Sequence, residues 1–184
     1  CTLVAAADSR GSTYKPDGLD LDILNSLKSE GKSVADYAAG TRGDRDSIID
    51  VECDIWVPAA RPDVIRDDNV ERLNTKLLLE GANIPATRTA EARLFEKGIL
   101  YVPDFIANAG GVICAAMEYH GANESAVMAT IKDKVMRNTN QVLERVQRER
   151  IPPRQAAEEL ALERVRKAMS FRRFSTFSMG PGYL

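Results

Sequence analysis

The stretch Lys76-Leu77-Leu78-Leu79-Glu80-Gly81-Ala82-Asn83-Ile84-Pro85 decides the fold class. Leu77, Leu78 and Leu79 are apolar consecutively, not at every second position, as expected of a parallel strand covered on both faces. Gly81 to Pro85 then reads as a loop, and a helix follows from about Thr89 to Lys97, with Gly98 placed to stop it. The next strand, Ile99-Leu100-Tyr101-Val102, runs to Pro103-Asp104.

Upstream, the same order recurs. Thr2-Leu3-Val4-Ala5-Ala6-Ala7 reads as a strand ending at Asp8, and Pro16-Asp17-Gly18 makes a turn. Leu19, Ile23, Leu24 and Leu27 fall at helical spacing before Gly31 caps the helix. Cys53-Asp54-Ile55-Trp56-Val57 is a short strand closed by Pro58, and a helix is expected to start near Pro62, since a proline suits the first helical turn. Strands alternating with helices indicate an α/β, doubly wound, mainly parallel sheet. From Gly110 onward the chain turns helical. Val127, Ile131, Val135, Val142 and Val146 form one stripe of a long helix that begins near Asn123 and stops at Pro152-Pro153. A last helix is expected from about Arg154 to Met169 with Leu160, Ala161, Val165 and Met169 inward, and the aromatic, basic tail from Phe171 to Phe177 has no usable period. We therefore expect residues 1–122 to form one domain and 123–184 to be helices packed on it.

With 25 Lys+Arg against 27 Asp+Glu the net charge is −2, and no long run of one sign offers a nucleic-acid or membrane footprint. The 44% hydrophobic content excludes a disordered chain. No apolar run approaches the ~18 residues that a membrane span needs. Cys1, Cys53 and Cys114 are odd in number and widely spaced, which fits neither a disulfide framework nor a metal pair, so a reducing cytoplasm and no metal are expected. The chain opens inside a strand, as a truncation would.

In open α/β sheets ligands bind beyond the carboxyl ends of the strands. The loops there carry Asp8-Ser9-Arg10-Gly11, Pro58-Ala59-Ala60, Gly81-Ala82-Asn83 and Asn108-Ala109-Gly110-Gly111. Small residues let a ligand approach the backbone, and asparagines both donate and accept hydrogen bonds. His120, beside Gly121, reads as a helix C-terminal residue, Cys114 as a small buried hydrophobe, and the charges of 124–150 as a solvated face.

The strings Asp54-Ile55-Trp56-Val57-Pro58-Ala59-Ala60, Glu80-Gly81-Ala82-Asn83, Pro103-Asp104 and Asn108-Ala109-Gly110-Gly111-Val112, in this order and spacing, resemble the cofactor-binding domain of the glutamate/leucine/phenylalanine/valine dehydrogenase family. The resemblance covers nearly the whole chain. It implies a Rossmann-like domain with one strand reversed. It also implies oxidative deamination of an L-amino acid, glutamate as first choice, to a 2-oxo acid and ammonia, with hydride passed to NAD or NADP, in an enzyme expected to be a homo-oligomer when complete. By the same resemblance Asp8 and its neighbour Ser9 face the adenosine ribose, Ala59 and Ala60 run beside the cofactor, and Asn83 and Asn108 lie near the nicotinamide ribose and amide. Asn108, Gly110 and Ala115 would meet the substrate. For each position a plainer reading competes: a turn aspartate, tight packing, loop asparagines, glycines that merely permit a turn.

Two absences and one substitution stand beside the match. No Gly-x-Gly-x-x-Gly turn and no strand ahead of it occur in the chain, and the first strand of a 3-2-1-4-5-6 sheet sits at its centre, so the sheet is expected to be split. The family's catalytic lysine and aspartate lie in a substrate domain that these residues do not include, so no catalytic acid or base can be named. Ala115 stands where glutamate-specific members place a serine, which leaves branched-chain and aromatic substrates open. Asp8 would favour NAD by repelling a 2′-phosphate, while Arg10 could pair with one and permit NADP. The alternative function is a non-catalytic nucleotide-binding or regulatory module built on the same fold.

Overall fold

A computed structural model describes residues 1–171, so the tail beyond Phe171 lies outside the described residues. The strands are β1 (Ala5–Asp8), β2 (Gly11–Tyr14), β3 (Thr41–Gly43), β4 (Cys53–Trp56), β5 (Thr75–Leu79) and β6 (Leu100–Val102). The helices are α1 (Leu21–Ser29), α2 (Arg88–Glu96), α3 (Asp104–Ala107), α4 (Gly110–Tyr119), α5 (Glu124–Glu149) and α6 (Pro153–Ser170). They form two compact units, Cys1–Tyr101 and Val102–Leu184. The division falls ahead of residue 122 because α3 and α4 both pack on α5.

Within the first unit the strands make two separate sheets, β1-β2-β3 and β4-β5-β6, the split expected when the central first strand is not among the residues. β4 and β5 are parallel, with Cys53 opposite Thr75 and Trp56 opposite Leu78. Their inward residues Trp56 and Leu78 join Ala90 and Leu94 of α2, with Leu73, Ile99 and Tyr101, in one buried cluster. A smaller cluster gathers Leu19, Leu24, Val34 and Tyr37 with Ala6 and Leu27. Ile23 departs from the expected stripe and is exposed.

The first sheet corrects the expectation of a strand leading directly into a helix. β1 begins only at Ala5, turns tightly through Ser9 and Arg10, and returns as β2, antiparallel to both β1 and β3. Gly11 permits the return: at φ +154 it takes a conformation that other residues rarely adopt, and an added Cβ would lie 2.9 Å from the Gly43 carbonyl oxygen. The helix expected near Pro62 is also absent. Asp63 has φ +52, and Asn69 replaces helical bonds by accepting from the Arg66 N–H at 2.8 Å and donating to the Val64 carbonyl at 2.9 Å. Ile65 instead bridges Ala86, and only a short 3₁₀ turn forms at Val70–Arg72.

Helix boundaries follow local chemistry. Asp20, Thr87 and Asn123 cap α1, α2 and α5 with side-chain oxygens, and Gly31 and Gly98 end α1 and α2 as expected. α5 instead ends on Arg150, an exposed non-glycine residue at φ 54 and ψ 41. The left-handed conformation costs an L-residue roughly 1–2 kcal/mol. Arg150→Gly should therefore raise stability by about 0.5–1 kcal/mol in urea denaturation, and a loss would show that the arginine side chain contributes more than its backbone costs.

In the second unit α5 buries Val127 and Val142, while Ile131, Val135 and Val146 are half-buried. Arg145 of α5 reaches α6, its Nη2 donating to Glu163 at 2.8 Å. The burial expected along α6 is corrected. Its first turns bury Pro153, Arg154, Ala156 and Ala157, Leu160 is half-buried, and Ala161, Val165 and Met169 are exposed. Among the described residues no helix is long and apolar enough to cross a membrane.

Candidate functional site

The loops at the carboxyl ends of β4 and β5 are drawn together by backbone. Parallel pairing sets the two strand ends side by side, and the Ala82 N–H donates to the Pro58 carbonyl at 2.8 Å. Gly81 sits so close to its neighbour loop that an added Cβ would lie 3.4 Å from Ala59 Cβ and 3.5 Å from Val57 Cγ1. Ala59, Ala60 and Asn83 are all exposed at this edge. The structure thus brings these three expected residues to one place. Beside Asn83, Ile84 is held at φ +49, a conformation unfavourable for a β-branched residue. Such strain persists only where the surroundings impose it, and it recurs at ligand-binding loops.

Asp8 ends β1, in the other sheet, and its partners come from elements that the strand itself does not announce. The carboxylate takes four donors: Ser33 Oγ at 2.7 Å and the Arg10 N–H at 3.0 Å on Oδ1, Lys28 Nζ at 2.8 Å and the Val34 N–H at 3.0 Å on Oδ2. Burial by itself would raise this carboxyl, but the bonds from Lys28, Ser33, Arg10 and Val34 outweigh it and hold the group well below the usual carboxylate range. One partner could have been found in the sequence. Ser33-Val34-Ala35-Asp36 is a capping box, with Asp36 accepting from the Ser33 N–H at 3.0 Å, and it fixes the 3₁₀ turn that presents Ser33 and Val34. A carboxylate has about four lone-pair sites. A ribose hydroxyl would therefore have to displace one donor, and Lys28, half-exposed, is the one most open to exchange. Ser9 is exposed at the hairpin tip, and Arg10 sends Nη2 to the Gly31 carbonyl at 2.7 Å.

The second unit carries Asn108, Gly110 and Ala115. α3 is a single turn whose last bond runs from the Asn108 N–H to the Asp104 carbonyl at 2.7 Å, and α4 starts two residues later at Gly110. Neither Gly110 nor Gly111 has positive φ, and nothing lies within 4 Å of a Cβ added at Gly111. No left-handed backbone therefore requires glycine at either position. α4 is apolar yet buries none of its residues, and Val112, Ala115 and Tyr119 lie exposed along one face of it. His120 occupies the C-cap of α4 as expected. Cys114 is half-buried, less than expected, and burial together with the neighbouring Glu118 pushes its thiol up. Among the described residues no group of three or more His, Cys, Asp or Glu could hold a metal.

A second buried polar arrangement also escaped the sequence: Arg154 Nη1 donates to Asp104 Oδ1 at 3.1 Å, and both residues are buried. Fifty positions separate them, a distance that no periodicity bridges.

Known proteins resemble the chain over most of its length. The profile of the glutamate/leucine/phenylalanine/valine dehydrogenase family matches residues 1–173. The glutamate dehydrogenase of Aeropyrum pernix is 36% identical over 180 residues, which cover 92% of this chain and 43% of that protein. The NAD-specific glutamate dehydrogenase of Staphylococcus aureus is 31% identical over 176 residues, covering 92% and 42%. The hetero-hexameric glutamate dehydrogenase of Thermus thermophilus, solved in a Leu-bound form, superposes with a TM-score of 0.78 at 28% identity, over 95% of this chain and 42% of that one. The chain thus spans less than half the length of the relatives it matches.

Proposed function

The chain belongs to the glutamate/leucine/phenylalanine/valine dehydrogenase family, and from that premise we propose that it is the cofactor-binding part of an NAD(P)-dependent amino-acid dehydrogenase. The observation that carries this reading is the joining of two small-residue loops, Pro58-Ala59-Ala60 and Gly81-Ala82-Asn83, at the carboxyl ends of adjacent parallel strands. That edge is where open α/β sheets hold dinucleotides. Functionally we read 1–122 as the dinucleotide-binding region and 123–184 as its helical extension.

The chemistry that a bound nicotinamide supplies is acceptance of hydride from the substrate Cα, with the resulting imine hydrolysed to a 2-oxo acid and ammonia. The chain's own residues bind and orient. Ala59 and Ala60 offer backbone without side-chain obstruction, Asn83 hydrogen-bonds the nicotinamide ribose, and Asn108 fixes the carboxamide and the amino acid. Gly110 leaves room beside the substrate, with Ala115 five residues further along α4. Asp8 accepts from the adenosine ribose in exchange for Lys28, with Ser9 alongside. The Asp8 carboxylate repels a 2′-phosphate and so favours NAD, while a displaced Lys28 and the nearby Arg10 would be available to that phosphate and permit NADP. We read the parent enzyme as cytoplasmic and homo-oligomeric, with glutamate as first substrate.

The test is the protein at its full encoded length, assayed for reduction of NAD and NADP with glutamate, leucine, phenylalanine and valine. Amino-acid-dependent reduction with higher kcat/KM for NAD is the expected result. A clear NADP preference would overturn the reading of Asp8, and cofactor binding without turnover would favour a regulatory module. The 184-residue polypeptide by itself, with no Gly-rich turn and no catalytic lysine of the family type, should show no turnover.

A further inference from the structure

α3 is one turn long, and a single turn is not stable without tertiary support, because nucleation fixes several residues for one hydrogen bond. It also has no side-chain cap, its N-cap position being Pro103. Yet this turn sets the direction in which Asn108 leaves the chain. Two anchors hold it. Ile106 is buried, and Asp104 is tied to Arg154 at the start of α6, whose guanidinium carbon also lies 5.7 Å from the centre of the Phe105 ring. Asp104 serves twice, since its carboxylate meets Arg154 while its carbonyl accepts the Asn108 N–H.

Stability alone is a poor reason for such a pair. Taking two charges out of water costs several kcal/mol per ion before their attraction offsets it, and apolar residues of similar volume often serve as well. An ion pair does, however, restrict position in a way that apolar packing does not. We propose that Arg154 is a positioning residue for Asn108, acting through Asp104 to hold the α3 turn in the orientation that the amino acid requires. This rests on the reading of Asn108 as a substrate-contacting residue.

The experiment is a double-mutant cycle in the protein at full encoded length, with KM for the amino acid, kcat and thermal midpoint measured for Arg154→Met, Asn108→Ala and the double variant. Arg154→Met should raise KM about ten-fold, with a smaller change in kcat, and the double variant should be no worse than Asn108→Ala alone, since residues acting through one another are not additive. Val142→Ala, which opens a cavity in α5, should lower the thermal midpoint with KM unchanged. Should Arg154→Met fail to fold, Arg154→Lys, which keeps the charge but loses the planar fork, should still raise KM. Additive effects, or a KM for the Arg154 variants within about two-fold of the parent, would overturn the inference while leaving the dehydrogenase reading intact. A parent protein with no amino-acid-dependent turnover would sink both.

Discussion

Asp8→Ala should cost the fold about 3 kcal/mol at pH 7, far more than the ~0.5 kcal/mol typical of a surface aspartate. Four protein donors converge on this carboxylate, two of them main-chain N–H groups. Removing the acceptor leaves the Ser33 hydroxyl and the Arg10 and Val34 N–H groups to find new partners around a half-buried position. Lys28 contributes least, because its ammonium is half-exposed and a solvated ion pair is worth little. The pH dependence follows from the depressed carboxyl. A carboxylate more acidic in the folded than in the unfolded chain contributes its full stabilisation above the unfolded value and loses it as pH falls through the folded value. The gap between parent and Asp8→Ala should be constant from pH 8 to about 5 and narrow from about pH 4 downward. Urea denaturation across that range checks it. A gap below 0.5 kcal/mol at pH 7 would mean that the carboxylate does not hold the hairpin.

Asp8 also marks where the sequence is legible and where it is not. Its place at a strand end follows from the apolar run before it, but apart from the local Arg10 bond its partners come from α1 and the Ser33 turn, twenty or more residues on in all three cases. β4, β5 and β6 are legible because apolar residues cluster in them, although Ile55 and Leu100 stay exposed, and α1, α2 and α5 because caps and spacing agree. β2 and β3 are not. Ser12 and Thr13 are buried in β2, and no run of hydrophobic residues announces Gly11-Ser12-Thr13-Tyr14 or Thr41-Arg42-Gly43. Strand propensity there is weak, and pairing with β1 supplies what the residues lack. Pro62 illustrates the opposite failure: proline permits a helix start without requiring one, and Asn69 satisfies the nearby backbone in a turn. For α6 the apolar residues expected inward do not stay inward, since Val165 and Met169 are exposed, so periodicity located a face and not its burial. Of the candidate site, the loop residues were legible as strings of small residues and asparagines. The ion pair behind Asn108 was not, since contact between positions 104 and 154 is a property of the folded second unit.

Ala115→Ser is expected to raise kcat/KM for glutamate relative to leucine by about ten-fold or more in the full-length protein. The family resemblance places a serine here in glutamate-specific enzymes, where its hydroxyl meets the distal carboxylate, and a methyl group offers no such donor. The structure adds two reasons to expect a clean result. Ala115 is exposed on α4, in line with Val112 at 78% and Tyr119 at 88% exposure, so a hydroxyl can be added without displacing a packed neighbour. The helix itself loses little, since serine is less favourable than alanine by only about 0.5 kcal/mol in a helix interior. Against that small cost, a hydrogen bond to a charged group is worth roughly 1.5–3 kcal/mol, which corresponds to ten-fold or more in the specificity ratio. Because leucine has no distal carboxylate, its kcat/KM should barely move, and the change should appear almost entirely with glutamate. Parallel assays of the two amino acids on parent and variant decide the matter. A ratio within about two-fold of the parent, well under 1 kcal/mol, would show that position 115 does not face the substrate side chain, and the exposed face of α4 would then need another occupant.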